Sequence, residues 1–474
     1  MNSLIDQLIT LLGKDNVLTG QAVAESYSHI WRMEETLLAK AITLPRTTAE
    51  VSSIVKLCYH SDQAIVVFGG RTNLVGSTET SGQEIIISME KMNQIEEVDT
   101  QSRTVTVQAG AILETIQMAI AAEDMFLPLN FGAKGSAQIG GIIATNAGGL
   151  QVFRYGMTRN LILGLEVVMA DGTIISGLKK IIKDNSAFDL KQLFIGSEGT
   201  LGIVTKAVLK IIEAPKSRTS AFVGINDYDK VIHFLKFMDK ELAGNLSSYE
   251  LIWENSYKVM TGPQNDIKPP IPYGYKYYVL IEGLGIDQNQ DQARLQFLLE
   301  QAFEKEIILD AAIADGGSDL EWFWTIREDV HQLKSDCSID HHFDISIPIP
   351  EIGVYVDETV KKLNLIDGVH KVFAFGHVAD GNIHFIVDKE NVSPALKKDI
   401  DLTVYTPLKK LGGSVSAEHG IGLHKKAYLD LCRSPEEIAL MKVLKKALDP
   451  KNLLNPGKVI DMEYISVIKQ KIVH

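Results

Sequence analysis

Apolar residues at Leu4, Ile5, Leu8, Ile9, Leu11 and Leu12 recur at the spacing of a helix with one buried face. Thr47-x-x-Glu50 reads as a capping box ahead of AEVSSIVKLCYH, where Val51, Ile54, Val55 and Cys58 keep helical spacing. Short β-type runs alternate with these helices. They are Ile65–Phe68, which stops at Gly69-Gly70, then 84–89, Thr104–Gln108 and the stretch GIVTKAVLKII ending near Pro215. In LEVVMADGTIISG two β-rich runs flank Asp171-Gly172, a dipeptide that tolerates the positive φ of a tight hairpin turn. Beyond about residue 217 the texture changes: Pro269, Pro270 and Pro272 interrupt it, and helical stretches at Tyr228–Leu242 and 288–303 lie between strands such as YKYYVLIEG. The pattern predicts an α+β unit over 1–216, a second over 217–415, and a tail, 416–474, helical until Pro456.

Composition supports a globular chain: 474 residues, 45% hydrophobic and 23% charged. With 47 basic and 60 acidic side chains the net charge is −13, and no Lys/Arg run exceeds a pair such as Lys179-Lys180. No nucleic-acid partner is expected, and no basic amphipathic helix argues for membrane docking. No stretch reaches the ~18 apolar residues of a membrane span. The N-terminal stretch lacks a basic leader and is interrupted by Asp6, so an ordinary helix is expected there rather than a signal peptide. Cys58, Cys337 and Cys432 form no CxxC, which argues against a disulfide scaffold and a cysteine-held iron–sulfur cluster. A cytoplasmic location is expected, with a peripheral place at the inner membrane left open.

No G-x-G-x-x-G or P-loop occurs. Two other glycine-rich segments follow strands: VFGGRTNLVG (67–76) and FGAKGSAQIGGIIATNAGG (131–149). Successive small residues let backbone N–H groups approach an anion such as a pyrophosphate; alternatively these are tight turns. Together with RYGMTRNLILGLEVVMADG (154–172) and FIGSEGTLGIVT (194–205), they resemble the FAD domain of vanillyl-alcohol-oxidase (PCMH-type) flavoenzymes over about 40–216. The second half resembles the FAD-linked oxidase C-terminal (cap) domain of D-lactate dehydrogenases, D-2-hydroxyglutarate dehydrogenases and the glycolate-oxidase flavin subunit. The resemblance implies a two-domain α+β flavoprotein with FAD held by Gly69, Gly70, Arg71, Thr72 and Asn73 near the pyrophosphate. It places Phe131, Gly132, Gly135, Ser136, Gly140, Thr145, Asn146 and Ile203 along the rest of the cofactor. Some relatives tether FAD through a histidine in the first loop; here that stretch has Arg71 and no histidine, so non-covalent FAD is expected. In the tail DPKNLLNPGKVI (449–460), which the resemblance returns to the flavin, Asn455 is either a cofactor contact or part of a helix end.

In FAFGHVADGNIHFIV (373–387), Ala379-Asp380-Gly381-Asn382 reads as the loop of a hairpin. That register sets His377 opposite His384, two imidazoles on one face, either core histidines or chelators of a divalent ion. Further on, Ser416-Ala417-Glu418-His419-Gly420 sets a carboxylate beside another histidine. Two histidines and a glutamate suit Zn or Mn and leave positions open for substrate oxygens. The resemblance matches His377, His384 and Glu418 to the family's metal ligands and His419 to its catalytic base.

The stretch DLEWFWTIREDVHQLK (319–334) has helical length, and Arg327 and His331, four apart, share a face of such a helix. Arg327 is a surface arginine or a carboxylate anchor; the resemblance puts it on the family's substrate arginine. The chain departs from the hydroxyglutarate pattern where His331 stands for Thr, His342 for Lys and Ile386 for Asn. A histidine replacing a permanent cation makes recognition of a distal carboxylate weaker or pH-dependent. The expected activity is metal-assisted oxidation of a D-2-hydroxy acid (D-lactate or D-2-hydroxyglutarate type) to the 2-oxo acid, with hydride passing to flavin N5. An O2-using oxidase and the flavin subunit of a glycolate-oxidase-like complex are the alternatives. The electron acceptor is unknown: an electron-transfer flavoprotein, a quinone or a cytochrome. A homodimer is a further expectation.

Overall fold

The computed structural model describes residues 3–26, 36–262 and 267–462; the first two residues of the N-terminal reading and the last twelve of the tail lie outside them. The chain divides into two compact units. The first comprises Met1–Gly148, Met157–Ala214 and Glu418–His474; the second comprises Gly149–Gly156 and Pro215–Ala417.

The first unit carries a four-stranded and a five-stranded sheet. In the smaller one, Ala41–Thr43 and Ile65–Phe68 both run parallel to Ile85–Ser88 between them. The larger is antiparallel throughout, in the order Ile95–Asp99, Thr104–Gln108, Ile203–Lys210, Ile162–Val168, Ile174–Gly177. The expected hairpin closes at Gly172, whose φ of +83° L side chains rarely adopt. Helix Leu4–Leu12 forms as its periodicity predicts, and Asp6, which interrupts the apolar run, completes its capping box with Ser3. At Thr47 only half the expected box forms. The hydroxyl accepts from the Glu50 amide, but the Glu50 carboxylate accepts from Arg46 N–H instead. Val51, Ile54, Val55 and Cys58 are fully buried against the sheets.

The tail is less helical than expected: Pro435–Leu448 is its one α-helix among the described residues. Residues 449–455 instead fold back along strand Ile65–Phe68, with Leu454 bridging Ile65. The buried Lys445 ammonium holds that turn by donating to Asp449 and to the Thr200 and Leu454 carbonyls.

The second unit is built on one seven-stranded antiparallel sheet. Its order is Asp310–Ile313, Ser217–Ile225, Tyr277–Gly285, Leu246–Trp253, Val369–His377, Asn382–Lys389, Asp340–Ser346. Helices Tyr228–Leu242 and Gln288–Glu304 lie where periodicity predicts them. One face packs Phe222, Ile252, Tyr278, Leu280, Phe375 and Ile386 against helix Gly317–Glu328 through Phe323, Trp324 and Ile326. The segment Gly149–Gly156 joins this unit: Leu150 accepts from the Ser248 hydroxyl and Arg154 donates to the Asn245 and Leu284 carbonyls.

Candidate active site

The central hairpin of the second unit differs from the expected register. Its turn is Val378–Gly381, closed by Gly381 N–H on the Val378 carbonyl, and the returning strand begins at Asn382. Asn382 is held in the ladder by its side-chain amide, whose Nδ2 donates to Asp344 Oδ1 and to the Ile345 carbonyl on the next strand. Gly381 has φ +85°, and a Cβ there would stand 2.5 Å from the Ile347 carbonyl oxygen. His377 is therefore opposite Asn382, and His384 opposite Phe375. This is a correction of two residues. Because side chains alternate with period two, the shift leaves both histidines on the same face. Their rings meet edge to face with centroids 5.4 Å apart, and their candidate ligand atoms lie within 4.8 Å of each other.

Neighbouring strands set two carboxylates beside them. Glu250 is directly opposite His377 and Asp344 directly opposite His384. Both carboxylates are fully buried. Glu250 Oε1 lies 2.7 Å from His377 Nδ1, and its Oε2 accepts from Arg327 Nε at 2.8 Å. Burial opposes ionisation of Glu250, but the charges of and hydrogen bonds from His377 and Arg327 outweigh it and hold its carboxyl below the usual range. Arg327 is 4% exposed, so the surface reading of this arginine fails. Its guanidinium lies over the Phe375 ring at 4.9 Å. Nη2 pairs ionically with Glu250 Oε2 at 2.8 Å and is a buried donor without a hydrogen-bond partner among the described residues.

Arg327 and His331 do not share a helix face. One helix ends at Glu328 and a short one, His331–Ser335, starts after Asp329-Val330, leaving His331 exposed. His342 lies on the same sheet face as Asp344 and His384, opposite Ile386, and pairs with Asp340 at 2.6 Å.

The segment carrying Glu418 and His419 is led in by Asp344. Ser414 bridges Ser346, and Asp344 Oδ2 accepts from the Ser416 hydroxyl and the Ala417 amide, each at 3.2 Å. Glu418 and His419 are one and two peptide bonds beyond Ala417 and open the last segment of the first unit. Within that unit, Glu198 accepts from the amides of Ile421 (2.7 Å) and Gly422 (2.9 Å) and from the Ser77 hydroxyl (2.6 Å). It thereby ties the turn after His419 to the first glycine-rich loop. Burial pushes the Glu198 carboxyl up, against these donors. Glu198 and Glu250 escaped sequence reasoning. The available signal for Glu250 was an acidic residue inside the otherwise β-type run YELIW.

In the first unit the two glycine-rich loops abut. A Cβ on Gly70 would fall 2.1 Å from the Ser136 carbonyl oxygen, a backbone atom that no rotamer change moves away. Arg71 takes left-handed φ (+59°), a conformation that turns successive amides to one side. Among the described residues the amides of Gly69, Gly70, Thr72 and Asn73 donate to no protein acceptor. Gly132 and Gly141 face open space, whereas Gly135 has Glu114 near it and Gly140 lies against Ala109. This arrangement of unspent amides and unfilled glycines fits a phosphate-bearing cofactor. Phe131 packs on the core, and Ser136 is exposed. The Thr145 hydroxyl is spent on the Gly141 carbonyl, and Asn146 caps its helix at φ +51° while accepting from the Arg159 amide. Ile203 is a buried strand residue, 1% exposed. Asn455 spans Val67 N–H and the Glu198 carbonyl, so its side chain pins the cofactor unit from within.

A unit with paired glycine-rich loops of unspent amides, joined in sequence to an antiparallel sheet bearing histidines and a buried arginine, fits a flavin-dependent oxidoreductase. Residues 39–177 match the FAD binding domain family, and residues 214–459 match the C-terminal domain of FAD linked oxidases. The chain belongs to the FAD-linked oxidase family. It is 36% identical over 452 residues to the mitochondrial D-2-hydroxyglutarate dehydrogenase of Arabidopsis thaliana, covering 95% of this chain and 80% of that one. It is 33% identical over 460 residues to the D-2-hydroxyglutarate–pyruvate transhydrogenase of Saccharomyces cerevisiae, covering 95% and 93%. The fold is shared with p-cresol methylhydroxylase, solved with substrate bound: TM-score 0.75, 18% identity, 97% of this chain and 96% of that one.

Proposed function

We propose that this enzyme oxidises a D-2-hydroxy acid of the D-lactate or D-2-hydroxyglutarate type to the 2-oxo acid, using non-covalent FAD and a Zn or Mn ion. The observation that carries the reading is the buried Arg327 guanidinium, whose Nη2 is ion-paired with Glu250 but makes no hydrogen bond among the described residues, on the sheet face that bears His377 and His384. Buried donors are nearly always satisfied, so such a group calls for a ligand, and a carboxylate suits a guanidinium best. His377 and His384, with Glu418 shortly after the Asp344-held turn, make the donor set for the ion. The ion supplies Lewis acidity towards the substrate hydroxyl, and FAD supplies the hydride acceptor. The chain's own residues do the rest. Arg327 holds the carboxylate, and His419 removes the hydroxyl proton. His342 and His331 contact the distal end of the substrate. Gly69–Asn73 hold the pyrophosphate, and the loop from Phe131 to Gly140 lies along the rest of the cofactor.

The relatives named D-2-hydroxyglutarate dehydrogenase and transhydrogenase favour the same substrate class. The electron acceptor is proposed to be an electron-transfer flavoprotein, a quinone or a cytochrome, the assembly a homodimer, and the location cytoplasmic. The Arabidopsis relative, by contrast, is named mitochondrial. Among the described residues no helix is long and apolar enough to cross a membrane. The test is a panel of D- and L-2-hydroxy acids with a dye acceptor, with and without Zn or Mn. Metal-stimulated turnover of D-isomers is expected; no turnover of any D-isomer with either metal overturns the reading. Stoichiometric peroxide would make the enzyme an oxidase instead.

A further inference from the structure

We propose that Glu250 is a positioning residue that presets the metal-binding histidine and the substrate-binding arginine together, from one buried carboxylate. This rests on the function proposed above and deepens it. Glu250 sits in the strand Leu246–Trp253, fully buried, and each of its oxygens has a different client. Oε1 takes His377 Nδ1 and Oε2 takes Arg327. Neither client is near it in sequence: they stand 127 and 77 residues away.

The chemistry of each contact sets a specific state. A neutral imidazole has one N–H. With that hydrogen on Nδ1 and donated to Glu250, metal coordination falls to Nε2; the other tautomer would carry a hydrogen where the ion must bind. On the arginine, Glu250 takes Nε and attracts Nη2 without hydrogen-bonding it, so the guanidinium is oriented while Nη2 keeps its donors for a substrate carboxylate. One carboxylate therefore fixes a tautomer and a rotamer at once, and disturbing either client disturbs the other through it.

A neighbouring cluster supplies the control. Glu282, 2% exposed on the strand Tyr277–Gly285, accepts from Trp324 Nε1 on the same helix as Arg327 and pairs with Arg218. It anchors that helix to that sheet as Glu250 does, yet among the described residues it hydrogen-bonds and ion-pairs with neither His377 nor Arg327. A purely structural role for Glu250 predicts that the two glutamates behave alike.

The experiment uses the FAD-loaded protein and measures Zn and Mn affinity by chelator competition, together with KM and kcat for the best D-2-hydroxy acid at saturating metal. Glutamine has one acceptor oxygen for two donors, so Glu250→Gln must fail one client or share poorly between them. We expect metal affinity to fall by roughly 10- to 100-fold, the usual effect of losing a group that orients a metal-bound histidine, and KM to rise even at saturating metal. Glu282→Gln should leave both within about twofold, well inside the tenfold that 1.4 kcal/mol represents. Unchanged metal affinity and KM in Glu250→Gln, or equal changes in Glu282→Gln, would overturn the proposal. If Glu250→Gln does not fold, Arg327→Lys decides. Arg327 is no ligand, so weaker metal binding in that variant is the signature of transmission through Glu250, and unchanged binding rejects it. Wild-type protein that binds neither metal and oxidises no D-2-hydroxy acid defeats the proposed function itself, an outcome distinct from a failed variant.

Discussion

His384 is opposite Asp344 and beside His377, on a strand far in sequence from the glycine-rich loops. His384→Ala should therefore remove metal, measured by elemental analysis, and abolish most turnover while flavin absorbance stays; unchanged metal content would refute the ligand assignment. His419 and Arg327 should separate in rapid-mixing flavin reduction. His419 acts on a proton in flight, so His419→Asn should slow reduction with substrate binding largely kept. Arg327 binds a carboxylate in both ground and transition states, so Arg327→Ala should raise KM and lower kcat/KM. Losing one buried charge-assisted contact costs about 2–5 kcal/mol, roughly 30- to several-thousand-fold, and the low end is expected where a metal shares the carboxylate. Identical profiles would end that division of roles. The histidines were legible because a turn sequence and a period of two place them on one face. Glu250 was not, since both its clients are brought to it by strand pairing and helix packing across the sheet.

The elements show where local rules suffice. Helix Tyr228–Leu242 and strand Ile65–Phe68 follow from periodicity alone. The break at Asp329-Val330 does not: no glycine or proline marks it, and it falls just after the arginine that Glu250 holds. The Val378–Gly381 turn was displaced by one residue because Asn382 has a stronger claim on the Asp344 ladder than on the turn. The contact between the glycine-rich loops allows a direct test. Gly70→Ala drives a methyl into the Ser136 carbonyl, so the loops must part and the unspent amides lose their alignment. Purified Gly70→Ala should carry markedly less flavin per chain by absorbance, and full flavin content would show that the loops do not hold the cofactor.

Across the chain, two units form separate sheets, and an excess of 13 negative charges is carried without a basic run. Acid sensitivity is expected from a partly buried cluster in the second unit, where His341 Nε2 meets the buried Asp401 at 2.7 Å and Lys397 donates to the same carboxylate. Burial lowers the His341 pKa more than Asp401 raises it. Asp401 is opposed by burial but held below its ordinary value by His341 and Lys397. Both groups bind more protons unfolded than folded over the pH range between their two pKa values. The His341 contribution is complete above about 6.5 and the Asp401 contribution above about 3.8, and each is lost as pH falls through its lowered folded value. The thermal midpoint should drop as pH goes from 7 to 5. One proton accounts for a slope of at most about 1.4 kcal/mol per pH unit. His341→Gln, which does not titrate, should show a shallower decline; an unchanged slope would place the sensitivity elsewhere.

What local order could announce, it announced: alternating helices and strands, two phosphate-type loops, a hairpin with both histidines on one face, and a glutamate–histidine pair in the tail. These depend on residues close together in the chain, whose placement periodicity and turn chemistry govern. Four things needed the folded chain: Glu250 as partner of His377 and Arg327, Glu198 clamping the turn after His419, the burial of Arg327, and the transfer of Gly149–Gly156 to the second unit. Each depends on groups 77 to 224 residues apart sharing one low-dielectric place. There the cost of an unpaired polar group selects the partner, and no local pattern records that choice.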